Sequence, residues 1–259
     1  MSLLEVRSVS VSFGGLVAVK KIDLDIHEGQ IVGLIGPNGA GKTTLFNCLS
    51  GFQPIDEGSL IFRSESLRRL SPHHIAALGL ARTFQTSRIF KRMTVLEHVL
   101  LGRNRHQRAG LWGAIRRPAW VKQEEEESRE RGLNILSFFE ERLLPRIGDF
   151  AETLSYANRR RLELARALVS EPNLLLLDEP TAGMNPHESA GIARLIKKIR
   201  DELKITVFLI EHDMKVIMGV SDRIVVLDHG EKIAEGLPEE IRHNQDVVQA
   251  YLGRRHGSA

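Results

Sequence analysis

The chain has 259 residues, 42% of them hydrophobic and 27% charged, with a formal net charge of +3. That is enough to bury the core of one large or two small domains, no apolar run approaches the ~20 residues that cross a bilayer, and the charge is too small to argue for nucleic acid. The opening Met1-Ser2-Leu3-Leu4-Glu5-Val6-Arg7 lacks a charged segment followed by an apolar one, and the single cysteine, Cys48, has no disulfide partner. A reducing, cytosolic setting and an inert packing role for Cys48 are expected.

Along the chain, Leu4-Glu5-Val6-Arg7 and Ile22-Asp23-Leu24-Asp25-Ile26 alternate with period two, which predicts an antiparallel sheet. The apolar run Ile31-Val32-Gly33-Leu34-Ile35 predicts a buried strand. A helix is predicted from Thr43 to Ser50, with Gly51 suited to its C-terminal cap. A second covers His73 to Leu78, with Ser71-Pro72 as N-cap and first-turn proline and Gly79 as the stop. From about Thr86 to Val169, capped helical segments (Thr94 with Glu97, Gln123 to Phe139, Ser155 to Val169) replace strand signals. Residues 86–169 are therefore expected to form a helical subdomain inserted into an α/β lobe made of residues 1–85 and 170–236, with residues 237–259 as a C-terminal helical tail. Within the insert, Arg103, Arg105, Arg108, Arg116 and Arg117 gather around Trp112 and Trp120 and read as a solvated or partner-facing surface; Glu124 to Glu127 read as a solvated helix face. Leu174 to Leu177 and Thr206 to Ile210 are further buried strands, joined by a helix beginning at Asn185-Pro186, the pattern of a parallel sheet covered on both faces.

The residues that carry chemistry sit at the ends of these strands. Gly36-Pro37-Asn38-Gly39-Ala40-Gly41-Lys42-Thr43-Thr44 follows Ile35 and fits G-x-x-x-x-G-K-[ST]. Glycines let backbone N–H groups turn towards phosphates, and the following helix adds the positive end of its dipole. Lys42 supplies charge, and Thr43 offers a hydroxyl to Mg²⁺, which prefers oxygen ligands. Leu177 leads into Asp178-Glu179-Pro180, two carboxylates at the carboxyl edge of a buried strand, where open α/β sheets bind ligands. Asp178 is expected to hold Mg²⁺ through water, and Glu179 to polarise the water that attacks a γ-phosphate. His212, at the end of the next strand, is placed to contact that phosphate.

The loop Gly36–Thr44, Gln85 in Arg82-Thr83-Phe84-Gln85, the segment Leu154-Ser155-Tyr156-Ala157-Asn158 with Arg160 to Leu168 behind it, Leu177-Asp178-Glu179-Pro180 and His212 resemble, in this order, the motifs of ABC-transporter ATPase domains over nearly the whole chain. More narrowly, Phe13 to Val19, Ala182-Gly183-Met184-Asn185-Pro186, Glu211 to Arg223 and Ala250-Tyr251-Leu252-Gly253 resemble the LivG-type subunits of branched-chain amino-acid importers. Urea-import and lipopolysaccharide-export ATPases are close relatives of that type.

The resemblance implies an α/β fold with a P-loop (RecA-like) ABC ATPase core, an N-terminal antiparallel β subdomain and an inserted helical subdomain. It implies ATP and Mg²⁺ as cofactors and an ATP-hydrolysing subunit that energises an importer of branched-chain or related amino acids from the cytoplasmic face of the inner membrane. Phe13 is implied to stack on adenine with Val19 beside it, and Gln85 to reach Mg²⁺ or the attacking water. Ser155, Tyr156, Ala157 and Asn158 are implied to close on phosphates held by a second ABC ATPase subunit, identical or not. Membrane permease subunits are implied as direct partners and a periplasmic or extracellular solute-binding protein as an indirect one; nucleic acid is not among them. The apolar pair Ile89-Phe90 within the basic stretch Arg88 to Arg92 reads as an interaction surface, so the residues around Gln85 to Phe90 and the helical subdomain are expected to dock a permease helix. The signature departs from L-S-G-G-Q at Tyr156, a residue tolerated in the amino-acid-import branch, and at Ala157 and Asn158, with Arg159 where glutamine often follows; Phe13 stands where tyrosine is commoner, and Asn185 where many members carry aspartate but the import branch commonly has asparagine. A urea importer or lipopolysaccharide exporter would share every catalytic motif, and a non-hydrolysing regulatory subunit would fit the altered signature. A soluble, nucleic-acid-associated ABC protein would be expected to carry two fused ATPase halves, whereas this chain has one phosphate loop.

Overall fold

The computed structural model describes residues 2–85, 89–106 and 118–252. It forms two compact units, Met1–Arg82 with Asn173–Ala259, and Thr83–Pro172.

The first unit contains two sheets. Strands β1 (Ser2–Phe13), β2 (Leu16–His27), β4 (Glu57–Phe62) and β5 (Glu65–Ser66) pair antiparallel in the order β2-β1-β4-β5. Their period-two pattern puts Leu4, Val6, Val9 and Val11 of β1 and Ile22, Leu24 and Ile26 of β2 in the core. The second sheet has the order β10-β9-β3-β8-β7-β6, built from β3 (Ile31–Ile35), β6 (Leu80–Arg82), β7 (Leu174–Asp178), β8 (Thr206–Ile210), β9 (Arg223–Asp228) and β10 (Glu231–Gly236). All neighbours pair parallel except β10, which runs antiparallel on the edge. Every residue of β3, β7 and β8 is buried, as a strand covered on both faces requires.

Helix α1 (Lys42–Leu49) follows β3, and α2 (Pro72–Leu78) precedes β6. Phe46 of α1 meets Phe208 of β8 with ring centroids 4.9 Å apart and planes tilted by 50°, a pairing worth about 0.5–1.5 kcal/mol beyond its buried area. That contact seats the helix whose first residue is Lys42. Cys48 is buried on the same helix; burial first, then the nearby Asp56 carboxylate, pushes its thiol up to about 12, so it stays neutral and inert.

In the second unit, α3 (Val95–Leu100) opens on a capping box between Thr94 and Glu97, followed by α4 (Ala119–Phe138) and α5 (Tyr156–Leu168). Among its described residues no named strand occurs; one isolated bridge joins Thr94 to Phe150. Helix α4 begins four residues before the sequence pattern predicts, because Pro118 supplies an extended N-cap residue ahead of Ala119. Glu125, Glu126 and Glu127 are exposed on it. The arginine cluster needs a correction: the Arg103 side chain is only 11% exposed and donates to Glu171 at 3.4 Å, whereas Trp120 is exposed. Arg88, the side chain of Arg105, and Arg108, Trp112, Arg116 and Arg117 lie outside the described residues, as does Gly253. The first unit resumes with α6 (Pro186–Leu203), α7 (Met214–Val220), α8 (Pro238–His243) and α9 (Gln245–Leu252). No helix among the described residues is long and apolar enough to cross a membrane.

Candidate nucleotide site

Strands β7, β8 and β3 are adjacent and parallel, so their carboxyl ends share one edge of the sheet, and Asp178 pairs in register with Ile210. The loop after Ile35, the acidic pair at the end of β7 and His212 after β8 meet there. A cleft of about 490 Å³ results, lined by Phe13, Asn38, Lys42, Thr43, Glu179 and His212 among others.

Two of the loop's glycines, Gly36 and Gly41, answer to close approaches. A Cβ on Gly36 would lie 2.0 Å from the Leu227 carbonyl oxygen. One on Gly41, at φ +98°, would lie 2.3 Å from that of Ala18. Pro37 and Ala40 close a turn between these two points, the Ala40 N–H donating to the Pro37 carbonyl at 3.2 Å. Gly39 and Thr44 line the cleft. Lys42, 6% exposed, donates from Nζ to the carbonyls of Gly36 at 2.7 Å and Pro37 at 2.9 Å, so its charge is held inside the loop's own curve. At the cleft mouth the Phe13 ring is 49% exposed. Val19 is fully buried, and Leu16, Val17 and Ala18 line the cleft instead. On α9, partial burial raises the Tyr251 phenol, and the Gly36 backbone partly offsets this.

Glu179 has φ +49°, a left-handed conformation that costs a non-glycine residue about 1–3 kcal/mol. The bend brings its Oε1 to 2.7 Å from His212 Nε2. A carboxylate only accepts, so Nε2 carries the proton. Glu211, 3% exposed, fixes the two segments relative to each other: one oxygen accepts from the Thr181 N–H at 2.8 Å and hydroxyl at 2.5 Å, the other from the His212 N–H at 3.0 Å. Sequence reasoning missed Glu211, although an acidic residue directly before His212 was the available signal.

Asp178 is buried with its Oδ2 2.9 Å from Arg82 Nη2, while the Thr43 side chain faces the cleft. The Thr43 hydroxyl suits a hard divalent cation, for which few protein ligands are needed when phosphate oxygens complete the shell, whereas Asp178 is not among the residues that line the cleft. No cluster of three or more metal-ligating residues occurs among the described residues.

The remaining predicted site residues belong to the second unit. Gln85 is exposed, and its backbone carbonyl and that of Phe84 both accept from Arg160 of α5, the latter at 3.0 Å; Arg160 is 6% exposed and also donates to Glu163. Sequence reasoning had placed no role on Arg160. Ser155 caps α5 by accepting the Asn158 N–H at 3.4 Å, Tyr156 is 44% exposed, Ala157 is buried, and Asn158 Oδ1 accepts from Arg161 at 3.0 Å. The Phe90 ring is 58% exposed, and its N–H donates to His98 Nε2 at 2.9 Å. Burial, then the Arg166 charge, lowers His98 to about 4, which keeps it a neutral acceptor.

A glycine-rich loop leading from a buried parallel strand into a helix, with carboxylates on a neighbouring strand end, defines a P-loop nucleotide-binding protein. The family model described as ABC transporter matches residues 19–182, and that described as branched-chain amino acid ATP-binding cassette transporter matches residues 231–257. The chain belongs to the ABC-transporter ATP-binding cassette family, whose members are the ATPase subunits of transporters. It is 45% identical over 252 residues to the high-affinity branched-chain amino acid transport ATP-binding protein BraF of Pseudomonas aeruginosa, covering 97% of this chain and 98% of that protein. The corresponding LivG protein of Escherichia coli is 43% identical over 251 residues with the same coverage. The lipopolysaccharide export system ATP-binding protein LptB of Escherichia coli is 32% identical over 253 residues, with 98% of both chains covered. Among solved structures, the ADP conformation of an ATP-binding cassette of an ABC transporter matches with a TM-score of 0.85 and 30% identity over 98% of this chain and 99% of that one. A dimeric post-hydrolysis cassette bound to ADP and Pi matches with a TM-score of 0.73 and 27% identity over 91% and 98%.

Proposed function

We propose that the chain binds ATP with Mg²⁺, closes on a second ATPase subunit and hydrolyses the nucleotide to drive a membrane permease for branched-chain or related amino acids. The observation that carries the hydrolytic reading is the Glu179–His212 contact at the mouth of the phosphate-loop cleft. Glu179 orients the attacking water and takes its proton, His212 holds the glutamate in place, Lys42 balances phosphate charge, and Phe13 stacks on the base. Thr43 and Asp178 hold Mg²⁺, with Gln85 reaching the same metal or water; the ion, when bound, neutralises charge on the phosphates. The solute class rests on BraF and LivG, more similar than LptB at 32%, and on the C-terminal family match. The subunit works peripherally at the cytoplasmic membrane face, with a solute-binding protein acting through the permease.

The permease meets the surface around Phe90, a large apolar side chain more than half exposed. Phe90→Ala is expected to lower recovery of permease with the tagged chain from solubilised membranes and to cut uptake of labelled leucine several-fold, leaving ATP hydrolysis by the isolated chain unchanged. Full recovery and uptake would move the docking surface elsewhere; uptake of urea in place of leucine by the assembled transporter would replace the solute class.

The altered signature has a consequence of its own. Ser155 to Asn158 act on nucleotide held by the second subunit, where Asn158 is one methylene shorter than glutamine. One missing charge-assisted hydrogen bond costs roughly 1.5–3 kcal/mol, about ten- to a hundred-fold in rate if felt in the transition state. Ala157 is buried in its own unit, so its methyl points away from that task and glycine there costs helix stability. In the assembled complex, Asn158→Gln is therefore expected to raise turnover at least several-fold and Ala157→Gly to add little. An unchanged rate in the double variant would show that this signature works as it stands.

A further inference from the structure

Arg82 is the last residue of β6, and its side chain, 5% exposed, lies at the centre of a buried network within the first unit. Nη2 donates to Asp178 Oδ2 at 2.9 Å, and Nη1 donates to Asn47 Oδ1 and to Ser50 Oγ, each at 2.8 Å. Ser50 is itself fixed, donating from Oγ to the Phe46 carbonyl at 2.6 Å, and the guanidinium sits 5.7 Å from the centre of the Phe46 ring. Thr43, Asn47 and Ser50 are spaced i, i+4, i+7 and share one face of α1 and its C-terminal cap. One planar, multidentate cation therefore joins the helix face that begins with Thr43 to the carboxylate at the end of β7. A lysine carries the same charge but has no fork with which to reach three oxygens.

We infer that Arg82 is a positioning residue that braces the two sides of the metal site, Thr43 on α1 and Asp178 on β7. The inference rests on the proposal that those two residues hold Mg²⁺ and deepens it: the ion needs its donors at fixed separation, and Arg82 sets that separation without contacting ion or nucleotide. The network also keeps a buried carboxylate paired, which a buried charge requires.

The test uses Mn²⁺ as the probe, titrated by electron paramagnetic resonance into the full-length chain saturated with ADP. Arg82→Lys is expected to weaken Mn²⁺ binding about ten-fold, while ADP affinity in EDTA stays within two-fold. Asn47→Ala combined with Ser50→Ala, which leaves the Arg82–Asp178 pair in place, is expected to shift Mn²⁺ affinity in the same direction by a smaller factor. Unchanged Mn²⁺ affinity in folded Arg82→Lys overturns the inference, as does a lowered melting temperature with no change in metal affinity; should that variant not fold, unchanged affinity in the Asn47/Ser50 variant does so. Thr43→Ala and Asp178→Asn run in parallel: if neither weakens Mn²⁺ binding, the metal assignment itself fails, and if both do while the Arg82 and Asn47/Ser50 variants match wild type, only the brace fails.

Discussion

Glu179→Gln is expected to slow ATP hydrolysis by about a hundred- to ten-thousand-fold while nucleotide affinity stays within a few-fold of wild type, because an amide neither takes the water's proton nor orients it as a carboxylate does. The geometry makes the substitution a clean one. Glutamine keeps the length of the side chain, its carbonyl oxygen still accepts the His212 Nε2–H now 2.7 Å away, and the left-handed backbone at residue 179 is unaffected. Phosphate release measured under single-turnover conditions separates chemistry from binding. Turnover at the wild-type rate would remove Glu179 from the chemical step and leave His212 or Gln85 to explain hydrolysis.

The second large effect is on binding itself. Lys42→Ala is expected to weaken ATP binding by about ten- to a hundred-fold, the equivalent of losing a charge-assisted bond of roughly 1.5–3 kcal/mol. Lys42 is nearly buried and already shaped by the Gly36 and Pro37 carbonyls, so little side-chain entropy remains to be lost when a phosphate arrives. Calorimetric titration with ATP reads the change directly. The two variants form a pair, one expected to lose chemistry and keep binding, the other to lose binding first.

The fold was legible where local pattern and burial coincide. Strands β3, β7 and β8 announce themselves as unbroken apolar runs because both faces are covered, and α1, α2 and α3 are framed by residues that serve as caps, Gly79 at φ +104° and the Thr94–Glu97 pair among them. Strand β9 carries the same signal in Ile224 to Leu227, whereas β6 is three residues long and carries none. Single side chains whose environment is made by distant chain were not legible. Arg103 sits in a basic stretch that looks like surface until Glu171, 68 residues on, pairs with it. Arg82 looks like an ordinary strand end until Asn47, Ser50 and Asp178 converge on it. In the candidate site, the loop Gly36–Thr44, Asp178-Glu179 and His212 stand out as residue types at strand ends, and the sheet order supplies the reason that they meet. Glu211 carries a weak signal in its place directly before His212, but its tie to Thr181 emerges only once β7 and β8 are known to be neighbours.

Strand β3 lies between β8 and β9, both of which come from the last third of the chain. A ribosome that has released the phosphate loop has therefore made a strand with neither of its neighbours, and it must add residues 45–205 before Thr206–Ile210 arrives to pair with Ile31–Ile35. During that interval the antiparallel sheet of β1, β2 and β4 is available to fold, but the edge on which Lys42, Glu179 and His212 meet does not exist. The nascent chain carries an apolar strand with two open edges for most of its synthesis, a vulnerability to mispairing that places the demand for chaperone protection on β3 rather than on the helical segment made in between.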